Sequence, residues 1–341
     1  MRPKRIHLPL SIRHCGRMRR SPSPVSALVL AGMCWGSSYA VVGMVDGANP
    51  MLITGSRFAI FGIVAAVGLQ ATGGFHDIPW RTALGHAIGG SVGLYLAEVT
   101  AISLAGAGPT IAVVGSIPVA YAVVGARRDG SELRPLIPSV VLTLASHVVI
   151  HRDAWPADGS ALAPLILGML VAVAGVAGFC VYALHSTDHL RARPDLGPER
   201  WSSAVGVASG LCAVPLLAFG FVGGVPVDPT RLLLAAVFLA VIPSWLATSL
   251  WNRAVVDVPR ALAGQLLVFE PLSAFVFVHL VTGSLPGFSL VIGELLLLSG
   301  ALLAVRAVRT PTERAQSKSS VSSSNKPFGV SGGPVSPIAR G

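Results

Sequence analysis

Charged residues are scarce in this sequence. They make up 12% of its 341 residues, whereas an ordinary soluble protein has about 25%. A soluble domain so poor in charge could not keep its surface hydrated, so lipid is expected to surround much of the chain. Hydrophobic residues account for 52% of the chain and its mean hydropathy is +0.70. The composition therefore indicates an integral membrane protein and excludes an ordinary soluble domain.

Paired cysteines and nucleotide-binding motifs are also missing. The four cysteines, Cys15, Cys34, Cys180 and Cys212, form no CxxC pair and no disulfide framework. No P-loop occurs, so direct drive by ATP is not expected within this chain. The sequence predicts neither a cofactor nor a catalytic residue.

Two histidine pairs are spaced four residues apart, so each pair could face one metal ion. They are His147 with His151, and His185 with His189. Neither pair includes the glutamate of the HExxH arrangement, and both lie at predicted helix ends near water. A structural role is therefore favoured over metal binding, and the sequence predicts no metal site.

Long apolar runs are what the sequence does contain. A membrane span needs about 20 mostly apolar residues, because the hydrocarbon core is about 30 Å thick. Ten runs approach or exceed this length, the fifth being short: Val25 to Val45, Met51 to Ala71, Ala83 to Ser103, Gly108 to Ala126, Leu136 to Ile150, Leu162 to Leu184, Ser203 to Val222, Leu232 to Trp251, Ala261 to Thr282 and Phe288 to Arg306. The sequence predicts an all-α integral membrane protein with ten transmembrane helices.

Basic residues lie in the tails and in short segments between the apolar runs. With the N-terminus in the cytoplasm, alternate segments carry most of the arginines: Arg81, Arg127, Arg128, Arg134, Arg191, Arg193, Arg200, Arg253 and Arg260. The outer segments hold only Arg152 and Arg231. This asymmetry follows the positive-inside rule and predicts that both termini are cytoplasmic. It also explains the net charge of +10 without a nucleic-acid partner.

Ten spans divide into two sets of five, and an odd number makes a duplicated unit enter the membrane from the opposite side. Two weak internal echoes agree with this parity. Gly32…Tyr39-Ala40 resembles Gly175…Tyr182-Ala183, and Ser116-Ile117-Pro118 occupies the place of Phe269-Glu270-Pro271. We therefore expect inverted five-helix repeats at 25–151 and 160–306. A basic cytoplasmic tail at 1–24 and a Ser-, Pro- and Gly-rich disordered cytoplasmic tail at 307–341 would flank them.

Several of these runs resemble the EamA-type members of the drug/metabolite transporter superfamily. The matching positions are Trp35-Gly36-Ser37-Ser38-Tyr39, Pro50, Arg57-Phe58, Trp251-Asn252-Arg253-Ala254, Glu270-Pro271, and the run from Leu295 to Val305 with Ser299-Gly300-Ala301. The resemblance extends from about residue 25 to residue 306. It implies ten helices in two inverted halves and secondary transport of small metabolites, often as export.

The resemblance and the residues together predict a secondary transporter of the cytoplasmic membrane. It would move a small metabolite or drug-like solute by alternating access, with proton-coupled export as the expected mode. Two alternatives stay open: a membrane-embedded enzyme acting on a lipid or carrier-linked substrate, and a non-transporting partner subunit. The expected partners are a small-molecule substrate and the lipid bilayer, and a homodimer is left open.

One arginine and three carboxylates fall well inside predicted spans, where each costs roughly 2.5–3.5 kcal/mol on insertion scales. A rise of about 1.5 Å per residue places Arg57, Glu98 and Glu294 about 8–9 Å below the outer surface, and Glu270 about 18 Å down. Arg57 could form an ion pair with Glu98 or Glu294 that locks helices together, or it could contact a substrate carboxylate. Glu98 and Glu294 approach the outer boundary, which favours structural or hydrated roles for them.

Glu270 is the strongest candidate for a role in transport, because it lies near the midplane of the membrane. Pro271 removes a backbone N–H and frees a carbonyl on the preceding turn, and Pro118 would do the same in the mirrored helix. Broken helices near the midplane are where transporters build their sites. A carboxyl group in a low-dielectric surrounding can exchange a proton near neutrality. We therefore predict that Glu270 binds a proton or a substrate amine, with a purely structural role as the alternative.

Aromatic and amide side chains could line the same cavity. The candidates are Trp35, Tyr39, Tyr95, Tyr182, Trp245, Asn252 and Gln265. Gln265 is well placed because it lies just over one turn before Glu270 on the same predicted helix. Residues of these types more often serve in packing or in hydrogen bonds between helices, and they do not identify the substrate.

Overall fold

The computed structural model describes residues 23–45, 47–128, 130, 132–152, 162–222, 228–258 and 260–307. The secondary structure in these ranges is entirely helical. Numbered along the chain, the helices are α1 (Pro24–Met44), α2 (Pro50–Ala71), α3 (Trp80–Ala105), α4 (Ala107–Arg128), α5 (Ile137–Arg152), α6 (Leu162–Ala192), α7 (Pro198–Gly220), α8 (Pro229–Val255), α9 (Arg260–Leu266), α10 (Phe269–Thr282) and α11 (Phe288–Ala307). The predictions for the two tails fall outside these ranges, apart from the residues that adjoin α1 and α11.

Seven helices of the described ranges are long and apolar enough to cross a membrane, namely α1 to α4 and α6 to α8. The apolar helices α5, α10 and α11 are shorter. Helix α10 has 14 residues and is therefore about 21 Å long, less than the hydrocarbon core of about 30 Å. The chain is thus an all-helical membrane protein with several spans. The count of ten spans and the inverted repeat stay predictions.

Polar caps set the beginnings of several helices. The side-chain oxygen of Asn49 accepts a hydrogen bond from the backbone N–H of Met51 at 2.9 Å, and Pro50 takes the first helical position of α2. Ser23 and Asp228 cap α1 and α8 in the same way, each followed by proline. Proline suits this position because its fixed φ is helical and its missing N–H would have had no partner. The caps explain why these helices begin slightly before the apolar runs.

Four helical regions depart from α geometry, two in each half of the sequence. Helix α3 contains a π-helical segment at Ala87–Val92 and α8 contains one at Ala240–Leu246. Helix α4 is interrupted between Val114 and Ile117, and residues 267 and 268 separate α9 from α10. Segments of π-helix often occur at functional sites, so these regions indicate where to look for one.

The most extensive helix contacts join the first half of the chain to the second. Helix α2 packs on α7, α5 on α11, α3 on α6, and α1 on both α10 and α8. Glycines allow α2 and α7 to cross closely, since a methyl group on Gly62 would lie 2.6 Å from Gly210 Cα. Small residues at helix crossings are the usual means of close packing in membranes. The centre of the bundle therefore receives side chains from both halves.

Candidate functional site

A small cavity, which we call the central hollow, lies where α1, α2, α3, α6, α8 and α10 meet. Its volume is about 60 Å³, and its lining includes Trp35, Arg57, Tyr95, Glu98, Tyr182 and Glu270. A water molecule takes up about 30 Å³ in the liquid, whereas ligand sites usually measure about 300–1,000 Å³. The central hollow has room for a few water molecules and is closed to a metabolite in this form.

Arg57 of α2 is fixed in the hollow by one hydrogen bond and two rings. Its Nε donates to Ser244 Oγ at 2.8 Å, and this hydroxyl donates in turn to the Leu239 carbonyl at 2.8 Å. The guanidinium carbon lies 3.9 Å from the centre of the Tyr95 ring and 5.1 Å from that of Phe58. Such cation–π contacts are worth about 2 kcal/mol when desolvated. Arg57 is thus held by neutral groups from α3 and α8.

The sequence allowed an ion pair of Arg57 with Glu98 or Glu294, and this pair is not formed among the described residues. No carboxylate oxygen there lies within 4.0 Å of its side-chain nitrogens. Glu98 and Glu270 share the hollow with Arg57, whereas Glu294 of α11 does not line it. A charged guanidinium that faces carboxyl groups without touching them leaves its hydrogen-bond donors open to water or a ligand.

Glu98 and Glu270 are both 5% exposed. The Tyr39 hydroxyl lies beside Glu98 and the Tyr95 hydroxyl beside Arg57, but neither hydroxyl nor Glu98 Oε1 has a hydrogen bond of good geometry among the described residues. Buried polar atoms in native proteins are nearly always paired, with ordered water where protein groups are missing. Glu98 and Tyr95 line the hollow, so water in the hollow can complete their hydrogen bonding.

The interruption between α9 and α10 positions Glu270. Proline cannot donate to the carbonyl four residues earlier and its ring clashes with it, and for Pro271 that carbonyl belongs to Leu267. The Leu267 carbonyl instead accepts the backbone N–H of Glu270 at 3.1 Å in a tighter turn. Glu270 consequently becomes the second residue of α10. The helix is thus interrupted on the turn before the proline.

Helix α1 holds this interruption in place through two glycines. A methyl group added at Gly36 would lie 2.5 Å from the Glu270 carbonyl oxygen and 2.7 Å from Ala274 N. One added at Gly32 would lie 3.1 Å from Phe269 Cβ. The backbone around Glu270 thus packs directly on the backbone of α1, which explains glycine at these positions.

The interruption of α4 has the same origin. Pro118 lies four residues after Val114, where the first part of α4 ends. The two interruptions also meet, because a methyl group on Gly115 would lie 3.2 Å from Pro271 Cβ. Ile117 occupies the place that Glu270 has in the other interruption, and it is 1% exposed.

The other predicted lining residues occupy different positions. Trp35, Tyr95 and Tyr182 line the hollow, whereas Tyr39 does not. Asn252 does not, since its amide donates to Ser202 Oγ of α7 at 2.7 Å, which joins two helices. Trp245 is 41% exposed on the outer surface. The side chain of Gln265 lies outside the described part of the structure. The position of a side chain does not test whether it binds a substrate, so the binding roles of all these residues stay predictions.

Sequence reasoning missed several polar residues of the hollow. Ser38, Ser91, Ser244 and Thr248 all line it. Pro243 in the middle of an apolar run was a usable signal, since a proline inside a helix frees a backbone carbonyl. Nothing in the sequence around Ser91 marks the π-helical segment that brings it to the hollow.

A larger crevice lies between α1, α8 and α10. It measures about 1010 Å³ and is lined largely by apolar side chains such as Leu30, Met33 and Phe238, all of which are exposed. None of Arg57, Glu98, Glu270 and Glu294 lines it. An exposed apolar surface on membrane-crossing helices is the one that faces lipid, so the crevice is not the candidate site.

Known proteins resemble this chain in sequence and in fold. Residues 195–306 match the EamA-like transporter family. The Inner membrane protein YtfF of Escherichia coli (strain K12) is 26% identical over 311 residues, which cover 84% of this chain and 95% of YtfF. A protein of known crystal structure, 21% identical, superposes with a TM-score of 0.63 over 84% of this chain and 99% of that chain, which supports the fold alone. Residues 195–306 are thus similar to the EamA-like transporter family and most of the chain is similar to YtfF, which confirms the resemblance seen in the sequence.

Proposed function

We propose that this membrane protein with an EamA family domain is a secondary transporter of the inner, cytoplasmic membrane. It exports a small metabolite or drug-like solute by alternating access in exchange for protons. The observation that carries the proposal is Glu270, a buried acid at a helix interruption that faces a small hollow shared with Arg57 and Glu98. Intramembrane acids of this kind mark substrate and proton pathways.

The pattern of helix contacts supports two inverted halves. A twofold exchange would swap α1 with α6, α2 with α7, α3 with α8, α4 with α9 and α10, and α5 with α11. It maps the α1–α10 contact onto α4–α6 and the α3–α6 contact onto α1–α8, and all four contacts are present. The contacts of α2 with α7 and of α5 with α11 map onto themselves. The π-helical segments and the interruptions obey the same exchange, so we infer that the halves rock about the hollow.

The charges of the hollow support exchange of a proton for a cationic solute. With both carboxyl groups ionised, Arg57, Glu98 and Glu270 carry a net charge of minus one. A closed, low-dielectric cavity tolerates an uncompensated charge poorly. One proton, or one ammonium group of a substrate, brings the net charge to zero. If the cavity closes when either a proton or an amine is bound, but not when both are bound, inward movement of a proton is coupled to outward movement of an amine.

The test is transport by purified protein in proteoliposomes. A thermal-shift screen against a metabolite library supplies a stabilising compound, and its radiolabelled form is then followed under an imposed pH gradient. We expect Glu270→Gln to abolish gradient-driven flux while the protein melts as the wild type does. Glu294→Gln is the matched control, because Glu294 is a buried carboxyl outside the hollow, and its flux should persist. Undiminished gradient-driven flux in Glu270→Gln would remove this residue from the mechanism.

A further inference from the structure

Three histidines and a tryptophan form a compact group at the end of the bundle where α3 begins and α6 ends. His86 Nε2 and His185 Nδ1 are 3.0 Å apart and share a hydrogen bond. The His189 ring lies 4.4 Å from that of Trp201, and the His86 ring lies 5.2 Å from it. We call His86, His185 and His189 the histidine cluster. The sequence pointed only to His185 and His189, because His86 is 99 residues away from His185.

The histidine cluster extends from the protein surface towards the central hollow. The His185 side chain is exposed, whereas His86 is 5% exposed. The His86 ring meets the Tyr182 ring edge-on at 5.2 Å, and Tyr182 lines the hollow. Gly90, another lining residue, follows His86 by four residues, or about 6 Å along α3. His86 therefore lies one helical turn outside the hollow.

One ring atom indicates a further partner. His86 Nδ1 is buried and has no hydrogen-bond partner among the described residues. Leaving a buried nitrogen unpaired costs about 1–3 kcal/mol, which simple aromatic packing does not require, since phenylalanine would pack without the cost. The π-helical segment of α3 begins directly after His86, and such segments often occur at functional sites. These observations favour a polar route over a packing role.

The charged groups around the cluster are engaged with one another. On the link after α6, Arg193 donates to Asp195 and lowers the pKa of that carboxyl. Arg200 of α7 donates hydrogen bonds to the carbonyls of Gly73, Gly74 and His76 on the link after α2. The carboxylate of Asp77 lies on the same link. Asp188 of α6 pairs with Arg128 and Arg260. This leaves the imidazoles of the cluster as the groups here that can both accept and donate a proton.

We infer that the histidine cluster is a proton-transfer site between the aqueous face at this end of the bundle and the central hollow. The inference rests on the proton coupling proposed above. A proton from water binds the free nitrogen of His185, and the Nδ1 proton of that ring passes to His86 Nε2. The Nδ1 proton of His86 then passes to water in the hollow and on to Glu98 or Glu270. Each ring gains one proton and loses one, and rotation of the rings restores the starting tautomers.

The experiment follows protonation of the buried carboxyl groups directly and needs no substrate. Full-length protein in phospholipid vesicles is subjected to a rapid pH jump, and the infrared band of the protonated carboxyl group is recorded with time. His86→Phe and His185→Phe remove the transferring nitrogens, and His185 is exposed, so its replacement disturbs little packing. His279→Phe is the matched control, because His279 of α10 lies outside the cluster and packs on Phe275.

We expect both cluster variants to slow the appearance of the band at least tenfold without changing its final amplitude, while His279→Phe keeps the wild-type rate. Wild-type rates in either cluster variant that folds would overturn the proton-transfer role while leaving the proposed function intact. A band that is absent from the wild type, or unaltered by Glu270→Gln with Glu98→Gln, would overturn proton coupling in the hollow and this inference with it.

Discussion

The two helix interruptions have the same cause but different contents. In α4 and in the link from α9 to α10, a proline removes the hydrogen bond to the carbonyl four residues earlier and the helix ends there. The residue directly before the proline is Ile117 in one interruption and Glu270 in the other. The interruption caused by proline is present in both halves, whereas the acid is present in only one of the two interruptions. The difference teaches that the fold supplies the same interruption twice, whereas the residue before the proline and its surroundings decide which of the two can bind a charge.

The surroundings of the two interruptions differ accordingly. The one at Glu270 adjoins the hollow and is held by α1 through Gly32 and Gly36. The one at Ile117 is packed against α11, since a methyl group on Gly115 would collide with the Leu297 side chain. An acid is therefore tolerated at the first place, where Arg57 and water can compensate it, and excluded from the second.

The largest effect is expected from giving both interruptions an acid. Ile117→Glu places a carboxylate at a site that is 1% exposed. Ile117 does not line the hollow that contains Arg57, so Arg57 is not there to balance the new charge. An uncompensated buried charge costs about 3–5 kcal/mol, so we expect most of the protein to be lost from the monodisperse peak in size-exclusion chromatography. Ile117→Leu keeps the volume and should cost less than about 1.5 kcal/mol. An Ile117→Glu protein as abundant and as stable as the wild type would mean that the two interruptions are equivalent after all.

A second, smaller effect is expected where α1 holds the interruption that carries Glu270. Gly36→Ala would bring a methyl group within 2.7 Å of Ala274 N, and backbone at that place cannot move aside without moving Glu270. Overpacking of this kind costs about 1–3 kcal/mol, which should lower the Tm and reduce gradient-driven flux together. Gly43→Ala is the same change on the same helix with no atom within 4 Å. Equal Tm values for the two variants would show that α1 does not position Glu270.

Much of the helical framework could be predicted from the sequence, because apolar runs and arginine placement are local properties. The start of α2 is one example, since Asn49 and Pro50 form a cap that can be read directly. Glu270 and Pro271 were also identifiable, because an acid and a proline in an apolar run conflict with the membrane unless they serve a purpose. These features depend on neighbours in the chain.

The contents of the hollow could be predicted only in part, because they depend on packing between distant helices. Ser244 meets Arg57 across 187 residues, and no spacing rule links them. Asn252 was a reasonable candidate by type, yet its helix turns it towards Ser202 of α7. The π-helical segment at Ala87–Val92 contains no proline, so its sequence gives no sign of the extra residue in the turn.

The smallest effect, and the finest test of the comparison, comes from restoring the missing backbone N–H at each interruption. In Pro271→Ala the new N–H competes with that of Glu270 for the Leu267 carbonyl, which favours regular helix and draws Glu270 out of its turn. A neutral hydrogen bond is worth about 1 kcal/mol, so flux should fall about fivefold with the Tm unchanged or raised. Pro118→Ala makes the same change where no acid is present, and its flux should stay within about twofold of the wild type, because the new hydrogen bond draws no acid away from the hollow. If the two variants lost flux equally, the interruptions would matter as paired hinges, and the single acid would not be what distinguishes them.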